Sequence, residues 1–378
     1  MKRRDLIRLL FYGGGALWSG GAAGTGKAAP GRRLLPADAN GVRLPEGFSS
    51  RIVAESSVSP LGGCDYVWHA APDGGACFAD AEGGWIYVSN SELAENDGGA
   101  GALRFDADGR IIDAYSILQG TSQNCSGGAT PWGSWLSCEE TDTGRVWECD
   151  PLGVDAARVW PAMGVFKHEA VAVDPLNRKL YLTEDQPDGC LYRFTPFNYP
   201  DLSAGKLEVA RIIKGTAGPV QWLEIGDPRA TKKATRFQAK ATRFKGGEGI
   251  VYYNGKVYFT TKGDNRVWVF DIASQVVSVL YDDSDFLKPV LTGVDNITVS
   301  ADGTLYVAED GGNMQVVAIA NSGEVYPVLQ LIGHDKSEIA GVAFSPDGSR
   351  MYFSSQRGRS GDVLDGLTFE VQGPFRLL

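Results

Sequence analysis

The sequence predicts an all-β chain folded as a six-bladed β-propeller. Three observations predict it: a unit recurring about every 45 residues, strand pairs inside each unit, and Asp-Gly or Asn-Gly steps between strands. Six segments share one grammar: GGWIYVSNSEL, PWGSWLSCEET, RKLYLTEDQPD, GKVYFTTKGDN, GTLYVAEDGGN and SRMYFSSQRGR. Aligned on Glu92, Glu140, Glu184, Lys262, Glu309 and Gln356, they are spaced by 48, 44, 78, 47 and 47 residues. The long gap implies an insertion between the third and fourth blades, roughly residues 197 to 240. A unit of this kind has two apolar faces, so it is stable only when stacked between neighbours.

The N-terminus, MKRRDLIRLLFYGGGALWSGGAAGTGKAAPG, has the layout of a twin-arginine export leader. Arg3 and Arg4 precede Leu6 and Ile7, and a weakly apolar, glycine-broken stretch follows, which is a poor soluble helix. Residues 1–28 are read as this leader and 45–378 as one propeller domain. That reading implies passage through the twin-arginine translocase to the periplasm or the cell exterior. The leader carries Lys2, Arg3, Arg4, Arg8 and Lys27 against Asp5, so its removal shifts the formal charge from -10 to -14. So acidic a body argues against nucleic acid or an anionic membrane as partner and accommodates multivalent cations. No apolar run in the body reaches membrane-spanning length.

Within the units, Asn296-Ile297-Thr298-Val299 leads through Asp302-Gly303 to Leu305-Tyr306-Val307, and Met314 to Ile319 follows. The steps at 108–109, 254–255, 302–303 and 347–348 read as hairpin turns, where glycine takes the positive φ that the turn requires. Composition agrees: 49 glycines and 9 tryptophans with only 4 methionines suit a turn-rich β-protein. Cys64, Cys77, Cys125, Cys138, Cys149 and Cys190 are scattered with no CxxC pair, which excludes zinc-finger spacing. An oxidising destination allows disulfides, and Cys64 with Cys77 is one candidate pair among several.

In a propeller the first strand of each blade lines the axis, so ionisable residues at its start converge. Here they are Cys125, His168-Glu169, Glu248, Asp295-Asn296 and Glu338. Any one of these acids alone reads equally well as a satisfied turn. Their recurrence in register is what points to a shared centre. Carboxylates brought so close repel unless a multivalent cation lies between them. Oxygen ligands suit Ca²⁺ or Mg²⁺, whereas a thiolate suits a softer metal such as iron. Flanking glycines at 127, 128, 246, 247 and 249 allow close backbone approach. His168 reads as a packing residue, since three histidines cannot build a His-rich centre. No nucleophile-elbow, zincin or P-loop motif is present. The basic stretch RATKKATRFQAKATRFK reads as a solvated loop or as an electropositive lip, and Arg357 and Arg359 end the last blade near the same rim.

The ordered blocks NCSGGATPWGSWLSCEET, HEAVAVDP, YLTEDQPDGCLYRF, GEGIVYYNGKVYFTTKGDN, DNITVSADGTLYVAEDG and FSPDGSRMYFSSQRG resemble the PhoX-type alkaline phosphatase family, of which this chain looks like a short member. The resemblance implies phosphate monoester hydrolysis at an iron and calcium cluster (Fe³⁺, Ca²⁺) on the propeller axis. By motif it implies Cys125 as the thiolate bridging the irons, with Glu140 and Glu169 as iron carboxylates. It implies Glu248, Asp295 and Asn296 on the calcium side, and Glu338 as a further carboxylate. Glycines at 246 and 247 stand where a phosphate-holding cation is implied, leaving Arg243, Lys245 and Arg357 as candidates for that role. The leading expectation is an exported metal-dependent phosphatase acting on a small phosphorylated substrate. Its rivals are a calcium-dependent lactonase or esterase-like propeller, and a non-catalytic binding propeller with structural calcium.

Overall fold

The computed structural model describes residues 33–378; the leader expected at 1–28 lies outside them. Regular structure among the described residues is β-strand, with only short 3-10 turns between. The strands form antiparallel meanders in a propeller-like ring. The first sheet runs Pro72–Ala79, Trp85–Ser91, Gly98–Phe105 and Ile111–Thr121, and the second starts at Asn124–Ala129 and ends at Arg158–Val159. The last sheet takes Ile339–Phe344, Arg350–Ser355 and Leu367–Gln372 from the C-terminus and Ser49–Glu55 from the N-terminus, so distant parts of the chain close the ring.

Six separate sheets were expected, and the strands group into five. The difference lies in the insertion. Its strand Gly218–Glu224 pairs with Asp201–Ile212 on one side and, through Gly218 and Pro219, with Val276–Asp282 on the other. Two four-stranded runs, beginning at His168–Asp174 and Gly247–Tyr253, thereby join into one nine-stranded sheet. The bridge covers outer edges that would otherwise present unpaired backbone groups. Around the ring lie six apolar clusters, each between successive runs, from Ile86, Val88 and Trp135 to Tyr352, Tyr87 and Phe105 where the last sheet meets the first.

The turn expectations are met: Gly109, Gly255, Gly303 and Gly348 all have positive φ, and Asn254 joins Gly255 in the left-handed region. The disulfide expectation is not. Cys64 and Cys77 are free thiols, as are the other four cysteines, and the Cys64 Sγ instead donates to Ala114 O at 3.2 Å.

The first strands of the six runs lie side by side around the axis. In five of them two residues oppose one on the partner strand right after the first pair: 73–74, 125–126, 169–170, 248–249 and 295–296. Such a bulge bends the strand and re-aims a side chain. In the last run it comes one residue later, at Gly341 and Val342.

Candidate metal centre

Two concentric sets of side chains meet where these strands begin. The bulges aim Asp73, Cys125, Glu169, Glu248 and Asp295 at the axis; the equivalent position in the last run is Ala340. The second set comes from the residue that follows each second strand. Its amide donates back across the strand pair in every run: Glu92 to Ala71 O, Glu140 to Gln123 O, Asp185 to Lys167 O, Lys262 to Gly246 O, Asp310 to Gly293 O and Gln356 to Glu338 O, at 2.8–3.2 Å. A shared backbone bond makes these six positions equivalent.

Among the described residues, candidate ligand atoms fall into three groups, each with all atoms within 4.8 Å: Asp73, Glu92 and Cys125; Cys125, Glu140 and Glu169; Glu169, Glu248 and Asp295. Cys125 and Glu169 each belong to two groups. Asp73, Glu169, Glu248 and Asp295 are buried, with Glu169 0 % and Glu248 2 % exposed, while Glu92, Cys125 and Glu140 are half-buried. Glu169 Oε2 and Glu248 Oε1 have no hydrogen-bond donor. Like charges about 4 Å apart repel by about 4 kcal/mol at an effective dielectric near 20. Burial, then mutual repulsion, accordingly holds Asp73 and Glu169 well above the carboxylate range; Glu140 is pushed up to about 8 by burial and then Glu92. Burial raises Asp295 to about 7 although Lys262 pulls the other way. Burial also raises the Cys125 thiol, which donates to Glu169 Oε1 at 3.3 Å. A cation reverses each of these shifts, because only the ionised forms bind it. Bare buried oxygens, a thiol and converging carboxyls are a donor set that multivalent cations fit.

Protein cations neutralise only part of this charge. Lys262 Nζ lies 3.2 Å from both Glu248 Oε1 and Asp310 Oδ2, Lys167 Nζ 3.5 Å from Glu140 Oε1, and Arg357 Nη2 2.8 Å from Glu338 Oε2. Gln356 ties the groups together: its Nε2 donates to Asp73 and, at 2.6 Å, to Glu92, while its Oε1 accepts from Arg357.

Of the expected residues, Cys125, Glu140, Glu169, Glu248 and Asp295 come together in these groups. Asn296 is occupied by protein partners, donating to Asp295 Oδ1 at 3.0 Å and accepting from Gly341 N at 2.7 Å. Glu338 sits beside the groups in its ion pair with Arg357. Arg243 is held elsewhere: its Nη1 donates to Cys190 Sγ and to Asp188 and Arg236 carbonyls. Lys245 is exposed, with its carbonyl accepting from Gly263 N beside Lys262. The basic stretch clamps the insertion onto the third run, through Arg236 to Glu184 at 3.2 Å and to Asp188 at 3.0 Å. His168 packs as expected, stacked on Phe166 and bonded to Gly164 O.

Sequence reasoning missed Asp73, Glu92, Asp185, Lys262, Asp310 and Gln356 as site residues. Asp73 hides in a Pro-Asp-Gly-Gly stretch that reads as a turn. Glu92, Lys262 and Gln356 stand out in the sequence only as marks of the repeat, and in two units the equivalent residue, Asp185 or Asp310, is the one after the aligned glutamate. Glu184 and Glu309 point the other way, as successive strand residues do. Glu184 accepts from Cys190 N and Tyr192 OH, and Glu309 from Thr292 N and Gln315 N. The acidic doublets Glu139-Glu140, Glu184-Asp185 and Glu309-Asp310 were the available signal.

A sequence model described as alkaline phosphatase PhoX matches residues 88–159, 142–285 and 287–358, most of the chain. The chain belongs to the PhoX family. No curated protein sequence matches it. Among solved structures, PhoX from Pseudomonas fluorescens, in complex with the transition-state analogue vanadate, is similar with a TM-score of 0.74 and 17% identity. That match covers 91% of this chain and 98% of the other. A gluconolactonase from Xanthomonas campestris is similar with a TM-score of 0.54 and 12% identity over 92% of this chain and 99% of that one. A Bacteroides thetaiotaomicron protein of unknown function reaches 0.55 at 10% identity, over 90% and 84%. At these identities the structures speak for the fold, and the PhoX assignment rests on the family match.

Proposed function

We propose that the chain is an exported, metal-dependent phosphatase that hydrolyses small phosphate monoesters at an iron and calcium cluster on the axis of a six-bladed propeller. The observation that carries it is the sharing of Cys125 and Glu169 between three ligand groups, as a cluster of adjacent cations requires. Counting the nine-stranded sheet as two blades joined by Gly218–Glu224 yields six blades, with one apolar cluster per blade junction. Cys125, Glu140 and Glu169 would hold the iron side, Glu248 and Asp295 the calcium side, and Asp73 with Glu92 would complete the thiolate's other flank. Glu338 and Asn296 act through Arg357 and Asp295. Bound cations supply Lewis-acid charge that offsets the negative charge of a phosphate and of its in-line transition state.

The chain's own residues prepare the site for that ligand. Arg357, 31% exposed at the rim, is held by Glu338 and Gln356 in a fork that suits phosphate oxygens, and Lys245 adds exposed positive charge. Gln356 and Lys262 fix the carboxyls, so no reorganisation is needed when a substrate arrives. The leader pattern at Arg3 and Arg4 supports folded export to the periplasm or exterior, with the metals loaded beforehand.

The test is direct. Purified protein should contain iron and calcium, release phosphate from p-nitrophenyl phosphate, and lose that activity on chelation. Protein reloaded with both metals that releases no phosphate would refute the phosphatase reading. Cell fractionation of an Arg3→Lys, Arg4→Lys variant checks the route: the precursor should remain in the cytoplasm with its leader uncleaved.

A further inference from the structure

The fourth run breaks the pattern of the second set. At equivalent backbone positions Glu92, Glu140, Asp185 and Asp310 supply carboxyl groups and Gln356 a neutral amide, whereas this run supplies a cation, Lys262. Its ammonium is 3.2 Å from Glu248, the axial carboxylate of its own run, and 3.2 Å from Asp310, the outer carboxylate of the next. That is where a cation bridging the two runs would lie. Glu248 is 2 % exposed, and its Oε1 still lacks a hydrogen-bond donor, so the contact with Nζ is electrostatic and poorly aligned.

We propose that Lys262 is a built-in counter-ion filling one cation position of the cluster, between Glu248 and Asp310, so that the chain binds one multivalent cation fewer than its carboxylates would otherwise take. The excluded cation belongs to the hard, oxygen-seeking class of calcium, since every other donor at this position is a carboxylate. A tethered ammonium carries a single charge, cannot dissociate and resists chelators. This quadrant therefore keeps one positive charge against Glu248 and Asp310 when the bound cations are stripped. The inference rests on the metal-centre reading above.

The experiment counts ions. Full-length protein is equilibrated with excess calcium, desalted and analysed for calcium per chain. Lys262→Met should hold one calcium more than wild type, and Lys262→Arg the wild-type content. Lys262→Gln serves as a second neutral variant in case the methionine variant does not fold. Equal calcium in the wild type and a folded neutral variant would overturn the inference and leave the metal centre standing. No calcium in any of them would overturn both. Wild-type crystals grown with calcium give an answer without any substitution: the expected map has Nζ between Glu248 and Asp310, and anomalous density for a cation there refutes the proposal.

Discussion

Glu169 and Cys125 are shared by neighbouring ligand groups, so each would touch more than one bound cation. Even losing a hydrogen-bonding partner of a ligand typically costs about 10–100-fold in metal affinity or activity, and losing a shared ligand costs more. Glu169→Gln should therefore lower phosphate release by about 100-fold or more and reduce bound metal. The same variant should melt no lower than wild type when both are chelated, because it removes a buried carboxyl with a bare oxygen. Paired activity, metal analysis and thermal melts in EDTA check this. If chelated Glu169→Gln melts far below wild type, the side chain has a structural role instead.

The raised carboxyls also set a pH dependence for the metal-free protein. Glu140 moves from 4.5 to about 8 and Asp295 from 3.8 to about 7, both chiefly by burial. Between the unfolded and folded values the folded state binds more protons, so this stabilisation is complete below about pH 4 and lost as pH rises through 7 and 8. In EDTA the melting temperature should fall across pH 5 to 9. Calcium should reverse that slope, because binding needs the ionised groups. A chelated protein that gains stability across this range would contradict the assignment.

At the scale of the strand, the bulge is the device that builds the site. It turns the second residue of five first strands toward the axis, and it works only where neighbouring backbones can approach. Gly128 shows the tightness: a Cβ there would lie 1.9 Å from Val171 O on the next first strand. Gly128→Ala should cost about 1–3 kcal/mol by overpacking and weaken metal binding by displacing Cys125 and Glu169. A wild-type melting temperature and metal content in this variant would show that the first strands are less closely seated. Strand alternation does the complementary task, aiming Glu140 and Asp185 inward while Glu139 and Glu184 cap backbone amides of their own runs.

At the scale of the molecule, ring closure holds both the fold and the site. Ser49–Glu55 completes the last sheet, and Val53 and Ala54 join the apolar cluster against Trp85 and Tyr87 of the first. Deleting residues 33–56 removes that strand together with Val42–Arg43, which pairs with Val325–Leu331, and uncovers the junction between the last and first sheets. Its melting temperature should drop by about 10 °C or the chain should become insoluble, as expected when several kcal/mol of burial are lost. An unchanged, cooperative melt would mean the ring closes without its N-terminal strand.

The sequence by itself determined the all-β class, the recurring unit, the turns at Asn254-Gly255 and Asp302-Gly303, and four acid or thiol residues at the starts of first strands, Cys125, Glu169, Glu248 and Asp295. These are local: a glycine's φ, a two-residue alternation and a repeat period are written in neighbouring positions. Only the tertiary structure decided that Asp73, Glu92 and Asp310 join the centre, that Arg243 serves the insertion, and that the insertion welds two runs into one sheet. It also decided that Ala340 stands where the other five runs carry an acid or thiol. The reason is register. Which of two adjacent residues faces the axis depends on a bulge and a backbone bond between strands, and these form only when the runs close around one another.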